Sequence, residues 1–217
     1  MQVINLSENN SVLSNYIREI RDEEIQKDSL RFRRNIERIG ELMAFELSKT
    51  FKYKEIEVKT PLGISSVNII DENLVIASVL RAGLPLHIGF LNVFDHAENA
   101  FVSAYRKYKD ENNFDIHVEY ISAPDIAGKT LILTDPMLAT GGSMEMSYKA
   151  ILRKGIPKNL HIVSIISSKH AVEYLQKIMP KTSTLWLAAV DNDLNSHAYI
   201  VPGLGDAGDL SFGEKTD

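Results

Sequence analysis

Asp135 ends the apolar run Leu131-Ile132-Leu133-Thr134 and is followed directly by Pro136, Met137, Leu138, Ala139, Thr140, Gly141, Gly142 and Ser143. The apolar run reads as a strand covered on both faces. From Ser143 onward, Met144, Tyr148, Ile151 and Leu152 recur at helical spacing, and Gly155 with Pro157 supplies a stop. A glycine turn between strand and helix lets backbone N–H groups converge at a helix start, where the dipole favours an anion. Two glycines alone would serve equally well as a tight connection, so the neighbouring acid decides the reading. A carboxylate beside such a cradle suits sugar hydroxyls or a hydrated metal ion, and the pair suits a phosphorylated sugar. The loop is not of the G-x-x-x-x-G-K-[ST] type, since no lysine follows the glycines.

The surrounding pattern supplies the elements needed to position this loop. Val12, Leu13, Tyr16, Ile17 and Ile20 form one helical stripe, and Ile36, Ile39, Leu42 and Met43 form another after Asp28. Lys54 to Ile70 alternates around Pro61-Leu62-Gly63 and predicts a hairpin. Strands then alternate with helices: strand 74–80, helix 85–95, strands 99–105 and 130–135, helix 143–154, strand 160–166, helix 169–178 and strand 184–190. This order predicts an α/β fold with a mainly parallel sheet and right-handed crossovers. Ligands of such sheets lie beyond the carboxyl ends of strands, so the segments after strands 74–80, 99–105, 130–135 and 184–190 should converge. Lys107 to Asp125, charged and Asn-rich and then strand-like at His117 to Ile121, reads as a projecting arm or lid. The tail from Asp191 to Asp217 is rich in glycine and aspartate.

The 217 residues suit one domain, with opening helices over 1–50, an arm over 107–125 and a tail over 191–217. The absence of cysteine excludes a disulfide framework and thiolate metal ligation, and a cytoplasmic setting is the simplest expectation. No apolar run reaches membrane-spanning length and the first residues lack a signal-like pattern, so neither a membrane nor export is expected. A formal charge of −5 speaks against nucleic acid as a partner. The cluster Arg31, Arg33, Arg34 and Arg38 reads as a solvated, ion-paired or subunit-contact face. The histidines show no metal-ligand spacing, and His87, His96, His117, His161 and His170 read as ordinary core or surface residues. Trp186 reads as core.

The strand ends carry VLRAGLP (Val79 to Pro85), AYRKY (Ala104 to Tyr108), TDPMLATGGS (Thr134 to Ser143) and YIVPGLGDAGD (Tyr199 to Asp209). On DPMLATGGS and PGLGDAGD, and from the RFR at Arg31 through LRAG and YR to the tail, the chain resembles the uracil phosphoribosyltransferase family, of the type I phosphoribosyltransferase fold. The resemblance implies transfer of a phosphoribosyl group from phosphoribosyl pyrophosphate to N1 of uracil, giving UMP, with a base-binding hood formed by the tail. It implies that Arg81, Arg106, Asp135 and Asp206 are catalytic. Phosphoribosyl pyrophosphate would be bound by Arg81, Gly83, Arg106, Asp135 through Ser143 (including Pro136, Met137, Leu138, Ala139, Thr140, Gly141 and Gly142) and Asp206. Uracil would be bound by Ile200, Gly205, Asp206 and Ala207. Mg2+ is implied as a cofactor carried by the substrate pyrophosphate rather than by a protein site. A nucleotide effector such as GTP and a homo-oligomer, dimer or tetramer, are implied as well.

Pro136, where many relatives of the wider fold carry a second acid, favours a pyrimidine acceptor. Two stretches depart from the family wording. Pro85-Leu86-His87 follows LRAGL in place of glycine and methionine, and Leu210-Ser211-Phe212-Gly213-Glu214 replaces a basic-Ile-Phe-Gly-Thr run. Leu210 removes a cation and Glu214 adds an acid near a phosphate-rich site, which predicts weaker substrate binding. The alternative to an enzyme is a catalytically weak relative that senses phosphoribosyl pyrophosphate or a nucleotide; retention of Arg81, Arg106, Asp135 and Asp206 favours the enzyme.

Overall fold

The computed structural model describes residues 1–108 and 114–214, with the backbone alone at 104–108 and 114–119. In chain order the elements are β1 (Gln2–Asn5), α1 (Leu13–Arg21), α2 (Ser29–Ser48), β2 (Tyr53–Thr60), β3 (Gly63–Ile70), β4 (Leu74–Val79) and α3 (Leu84–Val93). They continue with β5 (Glu98–Tyr108), β6 (Phe114–Ser122), β7 (Thr130–Thr134), β8 (Met137–Leu138), α4 (Gly142–Ile151), β9 (Asn159–Ser168) and α5 (Lys169–Ile178). The last are β10 (Thr184–Asp191), β11 (Asp193–Leu194), β12 (Ile200–Val201) and α6 (Ala207–Phe212).

The central sheet runs β1-β10-β9-β7-β4-β5-β6, with β8 added to β9. Pairing is parallel from β10 through β5, as the alternation predicts, and β1 joins β10 in the same sense. The exception is β6, which returns antiparallel along β5. The expected arm is therefore a continuation of the sheet on its described flanks. Of the arm or lid expected over 107–125, residues 109–113 lie outside the described residues.

Both faces of the sheet are covered, and strand residues serve them alternately, because successive side chains of a strand point to opposite sides. Ile76, Ile132, Val163, Trp186 and Ala188 meet α1, α2 and α3 through Ile20, Phe32, Ile36, Ile39, Met43, Leu86 and Phe90. Val75, Ala77, Leu131, Leu133, Leu185 and Leu187 meet α4 and α5 through Met144, Ala150, Ile151, Ala171 and Leu175. Continuous apolar runs in the sequence correspond to this two-sided burial.

Local chemistry sets the helix ends. The Asp28 carboxylate accepts from the N–H groups of Leu30 (3.0 Å) and Arg31 (3.1 Å) and so caps α2. The basic cluster on α2 is spent within the chain. Arg31 pairs with Glu19 at 2.8 Å and Arg34 with Glu37 at 2.6 Å, while Arg33 donates to the Ser211 carbonyl at 2.6 Å. Trp186 is core, as expected.

Candidate active site

Beyond the carboxyl ends of β4 and β7 lies a cavity of about 300 Å³. It is lined by the β4 end and following loop (Val79–Ala82), by Asp135, Met137, Ala139 and Ser143, and by two stretches of the tail, 197–200 and 205–208. The strand-end rule thus brings Arg81, Asp135, Met137, Ala139, Ser143, Ile200, Gly205, Asp206 and Ala207 to one place.

The remaining expected residues fall otherwise. Pro136, Leu138, Thr140, Gly141, Gly142 and Gly83 are not on the cavity wall. Leu138 is core and pairs with β9, and the Pro136 carbonyl accepts from the Ile165 and Ile166 N–H groups at 3.1 and 3.0 Å. Gly83 has its own reason to be glycine, since a Cβ there would lie 2.6 Å from the Val79 carbonyl oxygen. The backbone of Arg106 is in β5, opposite Ile116; its side chain lies outside the described residues. Val79, Leu80, Ala82 and Gly208 lie in stretches that the sequence marks. His197 and Ala198 lie in the marked tail but ahead of its Tyr199 to Asp209 motif. They enter because β11 and β12 pair antiparallel and carry their connection back over the cavity. The signal was Asn195, whose side chain accepts from the N–H groups of His197 (3.0 Å) and Tyr199 (2.9 Å) in a turn that asparagine favours.

The cradle is built as its residues require. Gly141 has φ +83 and precedes the first turn of α4. Because the first helical bond within reach is Glu145 N–H to the Gly141 carbonyl at 3.1 Å, the preceding amides are those a helix leaves without an intrahelical partner. That of Gly142 turns to Thr140 Oγ1 at 3.4 Å. Glu145, an acid in the first turn, is held by Lys149 at 2.7 Å and by the Tyr174 hydroxyl at 2.6 Å. Ser168 fastens the loop from below, donating to the Ala139 carbonyl at 2.6 Å while capping α5.

Asp135 is buried at the floor of the cavity. Burial pushes its carboxyl up to about 7; the Met137 N–H, donated at 3.2 Å, acts against this, and the charge of Asp206 adds to it. The Asp206 carboxylate itself caps α6, accepting from Gly208 (2.7 Å) and Asp209 (2.9 Å). Ser78, Thr134 and His87 form a buried chain that ends on the exposed Asn99, with Ser78 Oγ 2.7 Å from Thr134 Oγ1 and 3.0 Å from His87 Nδ1. The Asn99 side-chain nitrogen donates to the Ala97 carbonyl, so its oxygen faces His87 Nε2, at 2.6 Å. His87 therefore carries its proton on Nε2, and burial pushes its imidazole below the ordinary value. The departure at His87 is in this way absorbed by the core.

Arg81 donates through Nη2 to Asp209 Oδ1 at 2.9 Å and to the Gly213 carbonyl, while its Nε is buried without a partner among the described residues. Leu210, where a basic residue was expected, packs against the apolar cluster of α2 and α3.

The shift at Asp135 gives a test with a definite sign. A carboxyl near 7 in the folded protein and near 3.8 when exposed holds its proton more tightly when folded. Its stabilising contribution is complete below pH 3.8 and is lost as pH rises through 7. Relative to the near-isosteric Asp135→Asn variant, the wild type should lose at most about 4 kcal/mol of unfolding free energy across that window. Thermal unfolding of both proteins at pH 5 and pH 8 reads the difference. A gap in Tm that does not change with pH would mean that the carboxylate is already charged in the fold.

Among the described residues, no helix is long and apolar enough to cross a membrane. A family model described as uracil phosphoribosyltransferase matches residues 7–214. A uracil phosphoribosyltransferase of Porphyromonas gingivalis is 58% identical over 215 residues, covering 99% of this chain and 100% of that one. One from Methanothermobacter thermautotrophicus is 40% identical over 192 residues, covering 88% and 87%. Among solved structures, the AQ2163 protein from Aquifex aeolicus superposes with a TM-score of 0.84 at 28% identity, covering 98% of each chain. A hypoxanthine phosphoribosyltransferase from Staphylococcus aureus, 14% identical, superposes with a TM-score of 0.50 over 85% of this chain and 83% of that one, a likeness of fold.

Proposed function

This chain belongs to the uracil phosphoribosyltransferase family, and from that premise we propose how its residues share the reaction. The protein has the type I phosphoribosyltransferase fold and transfers the 5-phosphoribosyl group of phosphoribosyl pyrophosphate to N1 of uracil, giving UMP and diphosphate. The observation that carries the division of roles is the meeting of Arg81, Asp135 and the Gly205–Gly208 backbone at one cavity.

In this reading the amides opening α4, with Thr140 and Ser143, receive the 5′-phosphate. Asp135 accepts from the ribose hydroxyls. Arg81 and Arg106 pair with the pyrophosphate, whose charge grows as it leaves while the sugar becomes oxocarbenium-like. Asp206 faces the ribose-pyrophosphate side, and main-chain groups of Ile200, Gly205 and Ala207 face uracil. In this reading the chain's contribution is positioning and charge stabilisation.

Asp135 and Asp206 line the same cavity, and no cluster of three or more metal-binding side chains occurs among the described residues. That donor set fits an Mg2+ that arrives on the pyrophosphate and keeps substrate and water oxygens as ligands. When bound, the ion neutralises charge on the leaving group. We further propose a single domain over 1–217, a cytoplasmic enzyme, assembly as a dimer or tetramer and response to a nucleotide effector such as GTP, all by likeness to the family. The sensor alternative has no observation in its favour.

A coupled assay for UMP tests the proposal. A backbone N–H aimed at uracil O4 would face the amino group of cytosine and stay unpaired, so uracil should be preferred by about 10- to 100-fold. Turnover that is independent of Mg2+, or equal for uracil, cytosine and a purine base, would sink it.

A further inference from the structure

Outside the cavity, one ion pair holds both polar groups of a single tail residue. Arg21, in the last turn of α1, meets Asp191, at the end of β10, through two bonds of 2.8 Å each. Arg21 Nη1 also donates to the Gly203 carbonyl at 2.9 Å, and Asp191 Oδ2 accepts from the Gly203 N–H at 3.0 Å. Asp191 is buried, and Arg21 is largely so. Gly203 has φ +56, and a Cβ there would lie 2.1 Å from the Ile200 carbonyl oxygen, so the turn can only be glycine.

Neighbouring side chains repeat the pattern. With its amide nitrogen facing the carbonyls, Gln26 donates to Leu204 at 3.0 Å and to Ile20 at 2.8 Å. Arg33 donates to the Ser211 carbonyl at 2.6 Å. The opening helices and their connection thus hold the tail by its main chain on both sides of Gly205–Gly208, the part that lines the cavity. None of Arg21, Gln26, Arg33 or Asp191 lines it.

The physical need for this is specific. If a base is read by main-chain N–H and C=O groups, its recognition depends on the orientation of peptide planes. A stretch containing Gly203, Gly205 and Gly208 has little intrinsic preference for any one orientation. Something external must fix it. We propose that Arg21 and Asp191 are positioning residues for uracil, acting through Gly203 on the main chain of the base pocket. The proposal rests on the reading that the tail forms that pocket, and it assigns to the first helix a part in substrate selection that its sequence does not show.

Arg21→Met should raise the KM for uracil by about tenfold or more, as expected for loss of charge-assisted hydrogen bonds, with the Kd for phosphoribosyl pyrophosphate within about twofold of wild type. Arg21→Lys, which keeps the charge and loses the fork, should fall between the two. Asp191→Asn, which keeps an acceptor for the Gly203 N–H, should move in the same direction. A merely structural role would instead lower the active fraction, reducing kcat at unchanged KM. Where Arg21→Met lowers Tm below the assay temperature, Arg21→Lys carries the same comparison.

Hydrogen exchange of the wild type with and without UMP separates the two layers of the argument. Protection at 200–208 by UMP, together with a selective rise in uracil KM, supports the proposal. Protection with an uracil KM within twofold of wild type in the folded variants overturns the role of Arg21 alone. No protection at 200–208 overturns the tail as base pocket, and the inference with it.

Discussion

Arg81→Ala should lower kcat/KM for phosphoribosyl pyrophosphate by about 100- to 1,000-fold, the size of effect seen when a preorganised donor to developing charge is removed. Folding should scarcely register the change. Arg81 and Asp209 are each about one third exposed (35% and 34%), and an ion pair that wet contributes little. The substitution also deletes an Nε that is buried without a partner among the described residues. The predicted signature is therefore a large kinetic loss at nearly constant Tm. Arg81→Lys should recover only part of it, because a single ammonium cannot reproduce two parallel donors. A loss smaller than tenfold in a folded Arg81→Ala protein would place Arg81 outside the pyrophosphate site.

Gly141→Val should harm both stability and substrate binding. The backbone there has φ +83, which an L side chain enters at a cost of about 1–2 kcal/mol, more when β-branched. A Cβ would also lie 3.0 Å from Tyr174 Cδ1 and 3.3 Å from Leu175 Cγ, and overpacking of a filled site costs about 1–3 kcal/mol. Together these should lower Tm by about 10 °C, at a few degrees per kcal/mol for a chain of this size. Relief requires the turn to move, which carries the opening amides of α4 out of line, so affinity for phosphoribosyl pyrophosphate should fall as well. Calorimetry that finds both Tm and affinity unchanged would show that neither the turn nor the cradle depends on glycine.

What was legible in the sequence is what short-range chemistry determines. The strand, glycine turn and helix around Asp135 appear as predicted, because apolar runs, positive φ and helical spacing are local signals. Helix α5 has the predicted bounds, since Ser168 supplies a cap and Leu175 an inward face. The parallel order followed from alternation. The rest depends on partners far away in the chain. Residues 2–5 are too few to announce a strand and become one only because β10 offers an edge. α6 hides in a glycine-rich run that suggests loop, and forms because Asp206 caps it and Ala207 is buried. Arg21 and Asp191 carry no motif at all; their meaning comes from contact across 170 positions.

The pairing of β1 with β10 has a consequence for how the chain assembles. Gln2 lies beside Thr184 and Asn5 beside Leu187, so strands far apart in the chain must meet to complete this side of the sheet. Closing so long a loop costs entropy before any contact repays it, and strand pairings of such range are intrinsically slow to form. Without β1, the backbone N–H and C=O groups on that side of β10 would be unpaired, the kind of edge that templates pairing with another chain. The four residues of β1 cover that edge, and deleting them should lower the yield of folded protein before it lowers turnover.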